Sequence, residues 1–247
     1  MIRMLWLATV LALLSGPVHA GFRCEDATLD GLSYTVCHAD PREDNIALFL
    51  NREDGKPHGQ FGSINASLKP QGKKLVFAMN AGMYHADRSP VGLYVENREE
   101  KKKIVTSAGP GNFGLLPNGV LCLREGRADV MESWQYKESA PDCVHATQSG
   151  PLMLFEGNMH PRFLPHSDSR FIRNGVGTSA DGTKILFAIS NQPVTFFEFA
   201  KLFRDAYGIP NALYFDGKVS RLYLPSQGRS DIGFPLGPII GVVEDAG

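Results

Sequence analysis

The chain has 247 residues, 43% of them hydrophobic and 21% charged, with 26 Gly and 16 Pro. That make-up is globular and excludes a disordered chain, a collagen and a coiled coil. With 25 basic and 26 acidic residues the formal net charge is −1, so there is no broad basic field for a nucleic-acid backbone or an anionic membrane, and nucleic acid is not expected as a partner.

Residues 1–20 carry one early charge, Arg3, then an apolar run over 4–14, a Gly16-Pro17 break, and Val18-His19-Ala20. This pattern predicts a signal peptide cleaved after Ala20. Its apolar part is short for a transmembrane helix, which takes roughly 20 apolar residues, so an uncleaved anchor is the weaker reading. Removing the segment takes away Arg3 alone among the charges, leaving 24 basic residues against 26 acidic ones. No later stretch of about 18 apolar residues follows, so the mature chain, 21–247, is expected to be exported without a transmembrane segment, as a periplasmic or secreted protein.

Cys24, Cys37, Cys122 and Cys143 all lie after this segment, and an even count in an oxidising compartment predicts two disulfides. Of the three pairings, Cys24 with Cys37 and Cys122 with Cys143 is favoured, because each pair brackets a short hairpin-like segment. Each would remove roughly 3 kcal/mol of unfolded-state entropy. Zinc is disfavoured by the lack of any CxxC spacing.

Short β-type runs are expected at 46–50, 75–79, 92–96, 103–107, 119–123, 152–155, 175–178, 184–189 and 212–215. Turn signals separate them at Asp54-Gly55, Asn118-Gly119, Glu125-Gly126, Glu156-Gly157 and Asp181-Gly182, and the charged run 99–103 reads as a solvated turn. Two helices stand out. Phe61, Ile64 and Leu68 have helical spacing ahead of Pro70, and Thr195-Phe196-Phe197-Glu198 is a capping-box pattern opening a helix to about Tyr207, stopped by Gly208. In the second helix Phe196, Phe199, Ala200, Phe203 and Tyr207 form one stripe, read as core packing. The sum is one α+β domain with a mixed, largely antiparallel sheet and a few packed helices.

Glycine-rich polar segments at the ends of apolar runs are the candidate sites: 80–88, 148–151, 170–177 and 215–217. Asp216 follows an apolar run and precedes a glycine, a good seat for a nucleophile, base or metal ligand, although an Asp-Gly turn gives the same pattern. Arg173, among Asn174, Gly175 and Gly177, has a planar fork that suits phosphate or carboxylate; a surface ion pair would explain it as well. Asn80 can donate and accept to sugar hydroxyls, or simply form a turn. His85, His145 and His166 have no carboxylate at a telling interval. Ser149 is not in a GxSxG elbow, and no glycine pattern matches a P-loop or a dinucleotide fingerprint.

Taken together, these segments resemble the phosphodiester glycosidase family. The resemblance rests on Phe77-Ala78-Met79-Asn80-Ala81-Gly82-Met83-Tyr84 with Pro90-Val91-Gly92-Leu93, on Asn112-Phe113 with Pro117-Asn118-Gly119-Val120, on Gln148-Ser149-Gly150-Pro151-Leu152, on Arg173-Asn174-Gly175-Val176-Gly177, and on Ala212-Leu213-Tyr214-Phe215-Asp216-Gly217. It spans about 75–224. The family commonly shows Asp-Gly-Gly-Ser at the last motif, whereas here Asp216-Gly217 continues into Lys218-Val219-Ser220, a lysine that would obstruct or recharge the pocket; Asn80-Ala81-Gly82 likewise replaces a common Asn-Gly start.

The resemblance implies hydrolysis at an anomeric carbon that carries a phosphodiester, in an envelope or extracellular glycoconjugate. Such a leaving group needs little general-acid help, so the protein must stabilise phosphate charge and an oxocarbenium-like sugar. Arg173 would hold the phosphate, and Asp216 would serve as nucleophile or base. Asn80 and the backbone around Gly150 and Gly217 would orient sugar and phosphate. Tyr84 and His85, next along the Asn80 segment, are assigned with Gly150 and Gly217 to substrate binding. No cofactor is required; a divalent cation would suit Asp216, Asn80 and phosphate oxygens, but no cluster demands one. The alternative is a non-catalytic exported carbohydrate- or envelope-binding protein on the same fold, with Lys218 marking loss of turnover. The oligomeric state is left open.

Overall fold

Four consecutive apolar residues, Ala212-Leu213-Tyr214-Phe215, can all be buried in a strand only when both faces of its sheet are covered. The computed structural model, which describes residues 21–216 and 219–247, meets that requirement. The expected signal segment 1–20, Gly217 and Lys218 lie outside the described residues.

The first half of the chain contributes β1 (Arg23–Leu29), β2 (Leu32–Ala39), β3 (Asn45–Phe49), α1 (Phe61–Leu68), β4 (Lys73–Asn80), β5 (Tyr94–Glu96), β6 (Glu99–Lys102), β7 (Gly119–Arg124) and β8 (Arg127–Glu132). The second half adds α2 (Ser133–Ser139), β9 (His145–Ser149), β10 (Leu152–Phe155), β11 (Asn158–Met159), β12 (Asn174–Thr178), β13 (Ile185–Ser190), α3 (Phe196–Lys201), β14 (Asn211–Asp216), β15 (Leu222–Leu224), β16 (Arg229–Ser230) and β17 (Ile239–Asp245). They form a seven-stranded sheet, β1-β2-β13-β12-β14-β10-β11, and two five-stranded sheets, β16-β15-β4-β17-β3 and β6-β5-β9-β7-β8. All the strand pairings are antiparallel, so the expected α+β class holds. Among the described residues no helix is long and apolar enough to cross a membrane.

Each sheet divides its side chains between a shared core and an outer layer. Leu213 and Phe215 of β14 join Phe77 of β4, Leu121 of β7 and Phe187 of β13 in the central core. Ala212 and Tyr214 point the other way, into a second core with Phe199 and Phe203. The same alternation sends Val120 and Cys122 of β7 to a cluster with Cys143, while α1 covers the outer face of its sheet through Phe61, Ile64 and Leu68.

The capping box of α3 is complete: Thr195 Oγ1 accepts from the Glu198 N–H, and Glu198 Oε2 accepts from the Thr195 N–H. The helix continues as a π-helical turn, Leu202–Ala206, and ends at Gly208 with φ +62°, as its glycine stop predicts. Phe203 is fully buried, with its ring 5.4 Å from Phe199 and nearly perpendicular to it. Phe203→Ala is therefore expected to cost about 3–5 kcal/mol, lost transfer energy plus a cavity. Chemical denaturation measures this, and a loss below about 1 kcal/mol would place the stripe outside the core.

Both favoured disulfides are present, Cys24–Cys37 and Cys122–Cys143. The first joins residues directly opposite in the β1–β2 hairpin, whose turn is Asp30-Gly31 with positive φ at both positions, as a two-residue type I′ connection needs. Several expectations are corrected. Residues 103–107 are not a strand; the edge strand is β6, which includes most of the charged run read as a turn, and the reversal falls at Asn97-Arg98, both with positive φ. Asn118-Gly119 is no hairpin turn either, because Gly119 opens β7 opposite Glu132 and Ser149.

Candidate active site

Three polar side chains come together at the seven-stranded sheet. Tyr214 and Asp216 lie at the end of β14, where a register shift against β12 pairs Asn174 with Asp216 and Gly175 with Tyr214, and Arg173 immediately precedes β12. All three line a cavity of about 850 Å³ together with Met83, Tyr84 and His85. Of the predicted site residues, Arg173, Asp216, Tyr84 and His85 line this cavity and Asn80 does not, with His85 exposed and Asp216 half-buried.

Arg173 is 1% exposed. Its guanidinium lies 3.6 Å from the centre of the Phe196 ring, with Phe171 and Tyr214 each at 5.5 Å. Nε donates to the Val194 carbonyl at 2.8 Å and Nη2 to the Ser169 carbonyl at 3.0 Å. Nη1 has no hydrogen-bond partner among the described residues. The fork expected to grip phosphate with two nitrogens is therefore partly committed to the backbone, which leaves Nη1 and the second N–H of Nη2. A buried cationic nitrogen with an unfilled donor is costly unless an anion completes it. Burial pulls the guanidinium below its ordinary pKa, while the Tyr214 phenol, by charge and by a hydrogen bond to the guanidinium, and then Glu198 act the other way; an arginine stays charged through such a shift.

The two tyrosines are held protonated. Burial raises the Tyr214 phenol far above its usual value, and the Asp216 carboxylate adds to the effect while Arg173 opposes it. Tyr84 is raised by burial and then by Asp216, against Arg88 and Arg221. Both can donate a hydrogen bond at neutral pH.

Asn80 is placed behind this wall rather than in it. It is fully buried; Nδ2 donates to Asn174 Oδ1 at 3.1 Å and Oδ1 accepts from the Arg221 N–H at 2.9 Å. Asn174 Nδ2 donates back to the Asn80 carbonyl. Ser220 Oγ is bonded to Asn174 Oδ1 and to the Asp216 carbonyl, so the network ends at the backbone of Asp216. Asn80 therefore positions the strand end that carries Asp216. With its amide spent this way it is not presented as a metal ligand, and among the described residues no three His, Cys, Asp or Glu converge as a metal group.

Gly150 is likewise a support. A Cβ there would meet Asn118 Cβ at 2.9 Å and the Phe113 and Asn112 carbonyls at 3.0 and 3.1 Å, so glycine is needed to seat the loop 105–113 that forms one side of the cavity. Gln148, fully buried, fastens the same loop: Oε1 accepts from the Val105 and Leu93 N–H groups, and Nε2 donates to the Val105 carbonyl at 2.6 Å. Gly92 leaves room for that amide, since a Cβ there would lie 2.3 Å from Oε1. Sequence reasoning did not single out Tyr214, Phe171 or Gln148 individually; Phe171 and Gln148 lie within the candidate segments 170–177 and 148–151, and Tyr214 lies two positions before Asp216 in an apolar run.

A sequence profile described as Phosphodiester glycosidase matches residues 73–241. The Uncharacterized protein YigE of Escherichia coli (strain K12) is 31% identical over 199 residues, 81% of this chain and 76% of that protein. Among solved structures, the catalytic domain of zebrafish N-acetylglucosamine-1-phosphodiester alpha-N-acetylglucosaminidase, auto-inhibited by its pro-peptide, superposes with a TM-score of 0.57 at 15% identity, covering 90% of this chain and 82% of that one. A hypothetical protein from Synechocystis superposes at 0.58 and 14% identity, over 90% of this chain and 61% of that one. At these identities the superpositions show the fold.

Proposed function

Because the chain belongs to the phosphodiester glycosidase family, we propose that it is an exported hydrolase that splits the bond between a sugar's anomeric carbon and a phosphodiester oxygen. The observation that carries this reading is Arg173, a buried cation whose Nη1 has no partner among the described residues and which lines the same cavity as Asp216. A charged donor with no acceptor of its own is a preformed seat for a phosphate oxygen.

In this reaction the C1–O bond breaks with its electron pair going to the phosphate, and a water oxygen takes its place on C1. Arg173 Nη1 holds the phosphate oxygen on which charge grows. Asp216 either attacks C1 directly or takes the proton of the attacking water, and its charge favours the oxocarbenium-like transition state in both cases. The protonated Tyr214 phenol donates to a sugar or phosphate oxygen, and Tyr84, whose hydroxyl donates to the Pro235 carbonyl, accepts from a sugar hydroxyl. Asn80, through Asn174 and Ser220, keeps the Asp216 backbone in register, and Gly150 with Gln148 keeps the facing loop in place.

The test is a panel of glycosyl 1-(4-nitrophenyl phosphate) diesters. Release of free sugar with intact nitrophenyl phosphate supports the reading. Nitrophenolate released directly would mean cleavage at phosphorus, and binding without any product would favour the binding-protein alternative. Export has its own test, motivated by the two disulfides: protein isolated without reductant is expected to begin at Gly21 and to take up no thiol-alkylating agent. Four alkylated cysteines in its intact mass would overturn it.

A further inference from the structure

The cavity is larger and less polar than a sugar phosphate requires. At about 850 Å³ it lies toward the upper end of the roughly 300–1,000 Å³ that takes a drug-sized ligand. Among the described lining residues the arginine and the carboxylate, Arg173 and Asp216, are neighbours, because Asn174 pairs with Asp216. Much of the remaining wall is Val105, Ala108, Pro110, Phe113 and Phe171, interrupted by the polar side chains of Ser107, Asn112 and Ser169.

The ends of this wall are held in place. Gln148 clamps Val105 on both its N–H and its carbonyl, and Asn118 Nδ2 donates to the Phe113 carbonyl. On the opposite element Phe171 exchanges both backbone hydrogen bonds with Val194, yet its side chain is left 45% exposed. That ring lies 5.5 Å from the Arg173 guanidinium. An apolar surface therefore begins immediately beside the cation that receives the phosphate.

We infer that the group esterified to the phosphate on the side away from the sugar is apolar, an alkyl or isoprenoid chain. The inference rests on the glycosidase reading for the identity of the reacting centre. Asp216 must face the anomeric carbon, which leaves the Phe171 side and the loop 105–113 for the aglycone. A second sugar or a nucleoside there would exchange water for carbon and leave its hydroxyls unpaired. A hydrocarbon chain would gain from the same contact.

Two measurements on the mature chain decide the matter separately. By calorimetry, octyl phosphate is expected to bind at least about tenfold more tightly than ethyl phosphate, and Phe171→Ser or Pro110→Ser is expected to shrink that ratio to threefold or less. Comparing the ratio removes any change in phosphate affinity common to both ligands. Equal binding of the two phosphates by wild type, or a ratio untouched by both substitutions, overturns the inference. In turnover, one sugar 1-phosphate esterified with an octyl or a glucosyl group is expected to be cleaved with at least about tenfold higher kcat/KM for octyl. A preference for glucosyl overturns the apolar aglycone while leaving the glycosidase reading intact. Preferential octyl phosphate binding with no cleavage across several sugars overturns the glycosidase reading and leaves an apolar phosphoester site.

Discussion

Asp216→Asn is expected to lower the release of free sugar from a sugar-1-phosphodiester by about 10²–10⁴-fold, the span of a positioned base, and to the upper end if Asp216 is the nucleophile. The substitution preserves side-chain size and most hydrogen bonding and removes only the negative charge. The fold should survive, since Asp216 stands half-buried at the end of β14 and its carbonyl still receives Ser220 Oγ. Near-UV circular dichroism and Tm check that point, and rates measured at matched substrate saturation check the chemistry. Turnover of the variant at the wild-type level would remove Asp216 from the mechanism. A second consequence follows from the tyrosines: the carboxylate helps to hold both Tyr84 and Tyr214 protonated, so their phenols should titrate at lower pH in the variant.

Arg173→Lys should reduce kcat/KM by about 10²–10³, or roughly 3–4 kcal/mol, the usual size of losing one donor to developing charge. The reason differs from the loss of a two-pronged grip. Nε and one N–H of Nη2 are committed to the Val194 and Ser169 carbonyls, and a lysine cannot hold both carbonyls, stack flat on Phe196 and still present a nitrogen to phosphate. Some stability should go as well, because those carbonyls lose their donors. Assays well below the variant's Tm separate the two effects. A kcat/KM within threefold of wild type would show that Nη1 does not meet the phosphate.

Local physical chemistry made several features legible without coordinates. The capping box at Thr195 needs only four residues, and its bonds are short-range. The Phe199–Phe203 face follows from helical spacing, and the short disulfide loops follow from chain closure. Strands such as β13 and β14 were visible as unbroken apolar runs, because a sheet covered on both faces demands them. The hairpin β1–β2 carried a readable Asp30-Gly31 signal that was passed over, while β9 and β17, with residues such as His145, Gln148 and Gly241, show no simple alternation.

Which residues are chemically important was determined by sequence more clearly than what each one does. The segments around Asn80, Gln148, Arg173 and Asp216 all reach the site, but composition could not separate a residue in the cavity wall from one behind it. Asn80 and Asn174 are 94 positions apart, and Asn80 and Arg221 are 141 apart. Their pairing depends on the order of strands in two different sheets, which no local period encodes. The same holds for Arg173, whose fork is partly taken up by carbonyls and an aromatic face that only folding brings to it. Backbone preference and hydrophobic period are properties of neighbouring residues and survive in the sequence. The direction of a side chain's hydrogen bonds, and whether one donor is left over for a ligand, are properties of the packed structure alone.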